Sequence, residues 1–184
     1  YARFLNAPDY ADKKIWQNIV GFDVEGKPLA KVGAEARDWF NKQGGKDYRP
    51  PYWDEARFGV SHRLLPVLTV TWYEAAAYCV WLEKHWRDFD DTRTALEKTF
   101  DGKFAVRLLR EEEWVIAAGG EENSRYAWGK ENDVRPYMNT SESQLGATSP
   151  VCMYPAGVAS PSGVMDMSGN IYEWQANLYS QKEP

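Results

Sequence analysis

The sequence predicts an α+β domain with few regular elements, two main helices and short strands joined by structured loops. Aromatic residues make up 15% of the 184 residues, and the nine tryptophans are spread along the chain. Clear helical periodicity occurs only over residues 72–86 and 111–118. The 14 glycines and 10 prolines are densest after residue 119, where turns are expected to dominate. We therefore expect large aromatic side chains, rather than long regular elements, to hold the fold together.

Short helices and loops are predicted in the first third of the chain. Residues 1–7 have the composition of the end of a helix, and residues 16–22 that of a short extended or helical piece. A further helix is predicted over 34–43, where Gly44 follows as a stop signal. Residues 46–66 are polar, aromatic and rich in proline, so we predict a loop there.

The clearest predicted helix runs from Trp72 to Trp86. Thr71 stands at the N-cap position and Glu74 follows three residues later, which is the pattern of a capping box. Apolar residues at helical spacing predict the face that enters the core, namely Ala75, Tyr78, Cys79, Leu82 and Trp86. Four tryptophans are predicted to be core residues, Trp72, Trp81, Trp114 and Trp128.

The second half of the chain is predicted to hold one more helix and several short strands. Residues 87–103 are polar and are expected to lie on the surface. The helix is predicted over 111–118, ended by Gly119 and Gly120. Short strands are predicted at residues 105–108, 151–154 and 172–174.

Composition excludes several classes of protein. The net charge is −5 and no basic stripe occurs, so nucleic-acid binding is not expected. The longest apolar runs are far too short to span a bilayer, so no membrane partner is expected. Two cysteines, Cys79 and Cys152, cannot form a disulfide scaffold, and with only two histidines a zinc or iron cluster is not expected. A reducing, cytoplasmic location is the default expectation.

Five motifs in a fixed order carry a family resemblance. They are Pro66–Leu82, Arg107–Gly120, Tyr126–Gly129, Thr148–Val151 and Ser160–Trp174. Together they resemble the formylglycine-generating enzyme, or sulfatase-modifying factor, family. The resemblance implies a C-type-lectin-like fold in a single domain over 1–184, with subfamily insertions at 8–60 and 87–103. It also implies that strands at both ends of the family domain are missing, so a further chain segment or a partner is expected to complete it.

The resemblance implies two calcium sites. One would combine the Glu173 carboxylate with the backbone carbonyls of Ser168, Gly169 and Ile171. The other would combine Asn139, the Thr140 carbonyl, a side chain at Glu142 or Ser143, and the Leu145 carbonyl. Calcium takes six to eight hard oxygen ligands, which suits both segments. The alternatives are that Glu173 is a buried acid bonded to the turn and that Asn139 is an Asx-turn residue. Asn170 is interpreted as structural, with its amide locking the turn at Gly169.

The family's enzymes oxidise a substrate cysteine to formylglycine with copper held by a cysteine pair. That pair lies C-terminal to the Glu173-Trp174 motif, outside this chain, so no catalytic residue is assigned and copper is not expected here. The family's helix-capping Thr is also replaced by Arg110, which cannot accept the hydrogen bond of an N-cap.

Three functions follow as hypotheses. The first is a non-catalytic, calcium-stabilised module that recognises a protein or another macromolecular ligand, similar to retroelement variable proteins and bacterial sensor domains. The second is a truncated copper-dependent oxidase of substrate cysteines. The third is a structural or assembly subunit.

Overall fold

The computed structural model describes residues 1–57, 63–89, 93, 97–99, 104–120, 125–130 and 132–178. The chain forms two compact units, the first comprising Tyr1–Pro50, Val70–Leu108 and Ala176–Pro184, and the second Pro51–Thr69 and Leu109–Gln175. The α-helices of the described residues are α1 (Ala2–Leu5), α2 (Lys13–Gln17), α3 (Val32–Lys42), α4 (Trp72–His85) and α5 (Glu111–Ala117). Short 3₁₀ turns lie at Gly45–Asp47, Trp86–Asp88, Ser141–Ser143 and Pro155–Gly157.

Aromatic rings form the centre of the first unit, as the sequence predicts. Trp16 is fully buried and stacks on Phe40 of α3 at 4.0 Å between ring centroids. Its indole N–H donates to the Tyr10 carbonyl at 2.8 Å, so its one polar group is satisfied inside the core. Phe4 of α1 meets the Tyr10 ring edge-on at 5.0 Å. These contacts hold α1, α2 and α3 together although each helix is short.

Helix α4 begins as predicted and faces the core differently. The capping box forms: the Glu74 N–H donates to Thr71 Oγ1, and the Thr71 N–H donates to Glu74 Oε2. The predicted core face is right only at Trp86, which is 3% exposed, because Ala75, Tyr78, Cys79 and Leu82 are only half-buried. The buried residues of α4 are Glu74, Ala76, Ala77 and Trp81. Apolar side chains occur all round this helix, so their spacing alone does not identify the buried face.

The predicted strands at residues 105–108, 151–154 and 172–174 are not formed. Among the described residues, β pairing is limited to three isolated bridges, Phe22 with Pro28, Phe22 with Asn177, and Tyr126 with Gly129. The backbone at these places bonds to side chains or turns instead: the Val106 N–H donates to Glu83, and the Cys152 N–H donates to Asp166. The described part of the chain is loop-rich, as predicted, with almost no strand.

Helix α5 and long ordered loops build the second unit. Its small core consists of Ala127, Ala159 and Met167, against which Trp114 packs from α5. Gly119 follows the helix with φ +98°, and a Cβ there would lie 2.7 Å from the Ser160 carbonyl oxygen. Glycine is therefore required at this helix end, as the sequence predicts.

The tryptophan predictions are right in part. Trp81 is buried, whereas Trp72, Trp114 and Trp128 are half-buried. Trp128 lies between the rings of Tyr126 and Tyr137, at centroid distances of 4.8 and 4.9 Å.

Parts of two predictions lie outside the described residues: residues 58–62 of the predicted loop, and most of the predicted insertion at 87–103. The single-domain prediction stays a prediction. Among the described residues, none of the helices combines the length and the hydropathy that a membrane-spanning segment needs.

Candidate functional site

A groove of about 610 Å³ opens beside the loop 166–173 of the second unit. Four predicted calcium ligands line it together, Ser168, Gly169, Ile171 and Glu173. Aromatic, methionine and acidic residues make up much of the remaining wall, including Trp114, Tyr126, Met138 and Asp166. We call this cavity the Glu173 groove.

Local backbone geometry explains why the loop presents these groups. Gly169 has φ +82°, and a Cβ there would lie 2.7 Å from the Asn139 carbonyl oxygen. Only glycine permits this close approach, which brings the loop against the Asn139 segment. The Ile171 N–H donates to the Gly169 carbonyl at 2.9 Å and closes the turn.

The Glu173 carboxylate is exposed, so Glu173 is not the buried acid of the alternative interpretation. Its Oε2 accepts a hydrogen bond from the Trp114 indole N–H at 2.8 Å. This bond orients the carboxylate at the groove wall. An oriented and accessible carboxylate suits a cation ligand.

Three oxygens meet in the Asn139 segment. The Ser143 hydroxyl oxygen lies 2.7 Å from Asn139 Oδ1 and 2.7 Å from the Thr140 carbonyl oxygen. A hydroxyl has one hydrogen, so it can donate to only one of these acceptors at a time. The Thr140 carbonyl also accepts from the Ser143 N–H at 3.1 Å, so the hydroxyl hydrogen remains for Asn139 Oδ1 and the turn satisfies both acceptors itself. Amide, hydroxyl and carbonyl oxygens are nevertheless of the kind that calcium accepts as ligands.

A second cavity of about 430 Å³, the Asn139 cavity, borders this cluster. Asn139, Thr140, Gln144 and Gly146 contribute to its lining. The predicted ligand Leu145 is 48% exposed, and its two neighbours in sequence line the cavity.

The Glu142 carboxylate bonds hydroxyl groups of its own turn. Its Oε2 accepts from the Thr140 hydroxyl at 2.6 Å and from the Ser141 hydroxyl at 3.0 Å. The hydrogen bond from Thr140, helped by that from Ser141, lowers the pKa of this carboxyl. Of the two predicted possibilities, Ser143 supplies the oxygen nearest to Asn139.

Asn170 connects the two segments, a role wider than locking the Gly169 turn. Its Oδ1 accepts from the Ser149 N–H at 2.8 Å, and its Nδ2 donates to the Ser149 carbonyl at 3.0 Å. Its Oδ1 also lies 3.4 Å from Asn139 Nδ2. Asn170 and Thr140 line both cavities. Ser149 and Asp166 were not predicted from the sequence, although both lie within motifs that carry the family resemblance.

The residues present fit a calcium ion by the chemistry of their donors. Carboxylate, amide, hydroxyl and carbonyl oxygens are the ligands that calcium prefers. Within the described ranges, no three His, Cys, Asp or Glu side chains lie together as a metal site. The predicted sites instead draw most of their oxygens from backbone and neutral side chains.

The two cysteines lie in different units. Cys79 of α4 lies in the first unit, where burial, followed by the charge of Glu83, raises its pKa to about 11. Cys152 lies in the second unit and is exposed, with φ +60°. Of the histidines, His62 falls outside the described residues, and His85 pairs with Asp9 and Asp88.

Comparisons with known proteins agree on one family. The model of the sulfatase-modifying factor enzyme 1-like domain matches residues 1–184. The formylglycine-generating enzyme of Streptomyces coelicolor is 31% identical over 200 residues, covering 98% of this chain and 54% of that protein. The serine/threonine-protein kinase Pkn1 of Chlamydia trachomatis is 35% identical over 116 residues, covering 62% of this chain and 14% of that protein.

An inactive Cα-formylglycine-generating enzyme 2 of Mus musculus is 30% identical over 132 residues, covering 66% of this chain and 35% of that protein. The chain thus spans about half, or less, of the length of these relatives. No solved structure gives a significant match. On the match over its whole length, the chain belongs to the sulfatase-modifying factor enzyme 1-like, or formylglycine-generating enzyme, domain family.

Proposed function

We propose that this domain is a non-catalytic recognition module that calcium stabilises and whose second unit displays the ligand-binding face. The observation that carries this proposal is that predicted ligands of both sites line two cavities, which have Thr140 and Asn170 in common. A cation at either site would hold its own segment, 139–145 or 168–173, in the folded conformation. The hydrogen bond from the Asn170 N–H to the Asn139 carbonyl at 2.9 Å joins that segment to the other. Calcium would thereby stabilise the surface that these loops form.

Exposed aromatic side chains support a recognition face at this place. Tyr172 is fully exposed and Trp174 is 53% exposed, on either side of Glu173. Large aromatics that remain in water on a folded protein are typical of surfaces that bind a partner. We therefore assign a protein or another macromolecule as the ligand, bound across the Glu173 groove and its rim.

The relatives support a family that is not uniformly catalytic. One is described as an inactive Cα-formylglycine-generating enzyme 2, and another is the kinase Pkn1, in which the similarity covers 14% of the protein. A match confined to a small part of a protein named as a kinase fits a binding module. This support is analogy from related proteins, so the biochemical test below decides.

The competing function is oxidation of a substrate cysteine, and it has one specific observation in its favour. Formylglycine-generating enzyme of Streptomyces coelicolor matches 98% of this chain. Copper chemistry of that kind needs soft thiolate ligands. Cys79 carries a raised pKa of about 11 and is therefore a thiol at neutral pH unless a metal displaces its proton.

The test is a turnover assay on this chain. The protein is incubated with cuprous ion and a cysteine-containing peptide of the sulfatase type, and aldehyde formation is followed by the change in peptide mass. We expect no turnover and no copper retained after gel filtration. A variant carrying Cys79→Ser and Cys152→Ser is the matched control, and it should behave as the parent does. Copper-dependent turnover in the parent that is lost in this control would overturn the non-catalytic assignment.

A further inference from the structure

His85, the last residue of α4, lies between two carboxylates. Its Nε2 is 2.9 Å from Asp9 Oδ2, and its Nδ1 is 2.9 Å from Asp88 Oδ2. Carboxylate oxygens only accept hydrogen bonds, so both contacts are made together only when both ring nitrogens carry a hydrogen. The geometry thus suits the imidazolium form.

The surroundings hold the ring in place. The Trp81 ring stacks on His85 at 4.9 Å between centroids, and the Trp81 indole N–H donates to Asp9 Oδ1 at 3.2 Å. Asp9 Oδ2 also pairs with Lys84 Nζ at 2.6 Å. The charged groups that approach the ring within the described ranges are Asp9 from the α1–α2 loop, Asp88 from the 3₁₀ turn, and Lys84 through Asp9.

We propose that His85 is a pH-dependent clasp that fastens the α1–α2 loop and the 3₁₀ turn Trp86–Asp88 to the end of α4. A neutral imidazole has one N–H and can donate to only one of the two carboxylates. Asp88 is the partner that is released, because its side chain is 71% exposed and water replaces the lost bond. Asp9 is 21% exposed and keeps its bonds to Lys84 and Trp81.

The direction of the pH dependence follows from the partners. Burial by itself would lower the pKa of His85, but the hydrogen bonds to Asp9 and Asp88 and their charges outweigh it and raise the pKa above 6.5. Asp9 stays ionised throughout, because its bonds to Lys84 and His85 overcome burial and lower its pKa to about 2. Stability from the clasp is therefore full below about pH 6.5 and is lost as pH rises through the raised pKa of His85.

Proton NMR of the imidazole signals measures the pKa of His85 directly, since the sequence has only two histidines. His85→Gln assigns the His85 signal, and His62 serves as the internal comparison. We expect a pKa for His85 above 6.5 that falls by about 0.5 or more in Asp88→Asn and in Asp9→Asn. A pKa at or below 6.5 in the parent, or the same pKa in Asp88→Asn, overturns the proposal.

A second measurement gives an answer if His85→Gln does not fold. Melting temperatures of the parent and of Asp88→Asn are compared at about pH 5.5 and about pH 8.5. At the lower pH, the parent should melt at a higher temperature than Asp88→Asn. This difference in melting temperature should shrink at the higher pH. A difference that does not change with pH means that the contact is not a pH-dependent clasp.

Discussion

Asn170 has φ +66°, a conformation that non-glycine residues rarely adopt. Its side chain compensates by bonding both the N–H and the carbonyl of Ser149, which is 2% exposed. We predict that Asn170→Ala lowers the free energy of unfolding by about 2–3 kcal/mol, because two buried backbone groups lose their partners. Urea unfolding measures the change.

Gln144→Ala is the matched control for Asn170→Ala. Gln144 also has positive φ, +55°, but its side chain is exposed. Its substitution should change the free energy of unfolding by no more than about 0.5 kcal/mol. Equal losses in the two variants would mean that backbone strain, rather than the bonds to Ser149, accounts for the effect.

Arg110 leaves the capping box of α5 half formed. The Arg110 N–H donates to Glu113 Oε2 at 2.9 Å, but the guanidinium of Arg110 has no acceptor atom, so the N-cap side chain cannot accept in return. Its guanidinium contacts Glu113 Oε1 at 3.4 Å and is 38% exposed, so this ion pair contributes little.

We predict that Arg110→Thr raises the free energy of unfolding by up to about 1 kcal/mol by completing the box. Arg110→Ala, which adds no acceptor, should give no gain. Thermal unfolding of both variants checks this prediction, and a less stable Arg110→Thr protein would contradict it.

At the scale of elements, α4 contains a buried acid. Glu74 is 0% exposed, and burial raises its pKa despite the hydrogen bonds from the Thr71 N–H and hydroxyl. Because the pKa of Glu74 is higher in the folded state than in the unfolded state, its contribution to the free energy of unfolding is most favourable below the unfolded pKa. Stability then falls as pH rises through the folded-state pKa.

We predict that Glu74→Gln raises the free energy of unfolding by about 1 kcal/mol at pH 7, because glutamine keeps the capping box without the buried charge. The gain should disappear below about pH 4.5, where the parent is protonated. Glu113→Gln at the same helical position of α5 is the control, and it should gain nothing because Glu113 is only half-buried. Urea unfolding at both pH values measures the difference, and destabilisation by Glu74→Gln at pH 7 would refute the prediction.

The elements also show where prediction from sequence succeeds. The start of α4 and the end of α5 depend on a few neighbouring residues, Thr71 with Glu74 and Gly119, so their local pattern is sufficient. The buried face of α4 depends on which neighbours cover it, and apolar residues surround the whole helix. The predicted strands at 105–108 and 151–154 fail because a strand needs a partner strand, and here Glu83 and Asp166 take the N–H groups.

For the molecule as a whole, the sequence predicted which segments form the candidate site, but it did not predict which side chains contact one another there. The resemblance placed Ser168, Gly169, Ile171 and Glu173 in one loop, and all four line one groove. It did not distinguish Glu142 from Ser143, since a shift of one residue in a turn changes which side chain faces Asn139. The bond of Trp114 to Glu173 spans 59 positions, a distance that no local pattern covers.

At the level of the whole molecule, calcium is expected to act on stability. Each predicted site takes its ligands from one segment, 139–145 or 168–173, and in the folded chain the Asn170 N–H bonds the Asn139 carbonyl between these segments. An ion that binds the folded state alone stabilises it, by about 2.7 kcal/mol at a hundredfold excess over Kd. For a chain of this size, that corresponds to a rise in melting temperature of roughly 5–10 °C.

The decisive measurement for calcium binding is the melting temperature of the parent, first freed of metal with a chelator and then given millimolar Ca²⁺. We expect calcium to raise it by several degrees, and to raise it less in Glu173→Gln and in Ser143→Ala, because each removes one ligand oxygen. Glu112→Gln makes the same chemical change as Glu173→Gln at an exposed position of α5 and should keep the full response. A parent whose melting temperature calcium does not change, or ligand variants that respond as fully as Glu112→Gln does, would contradict the account.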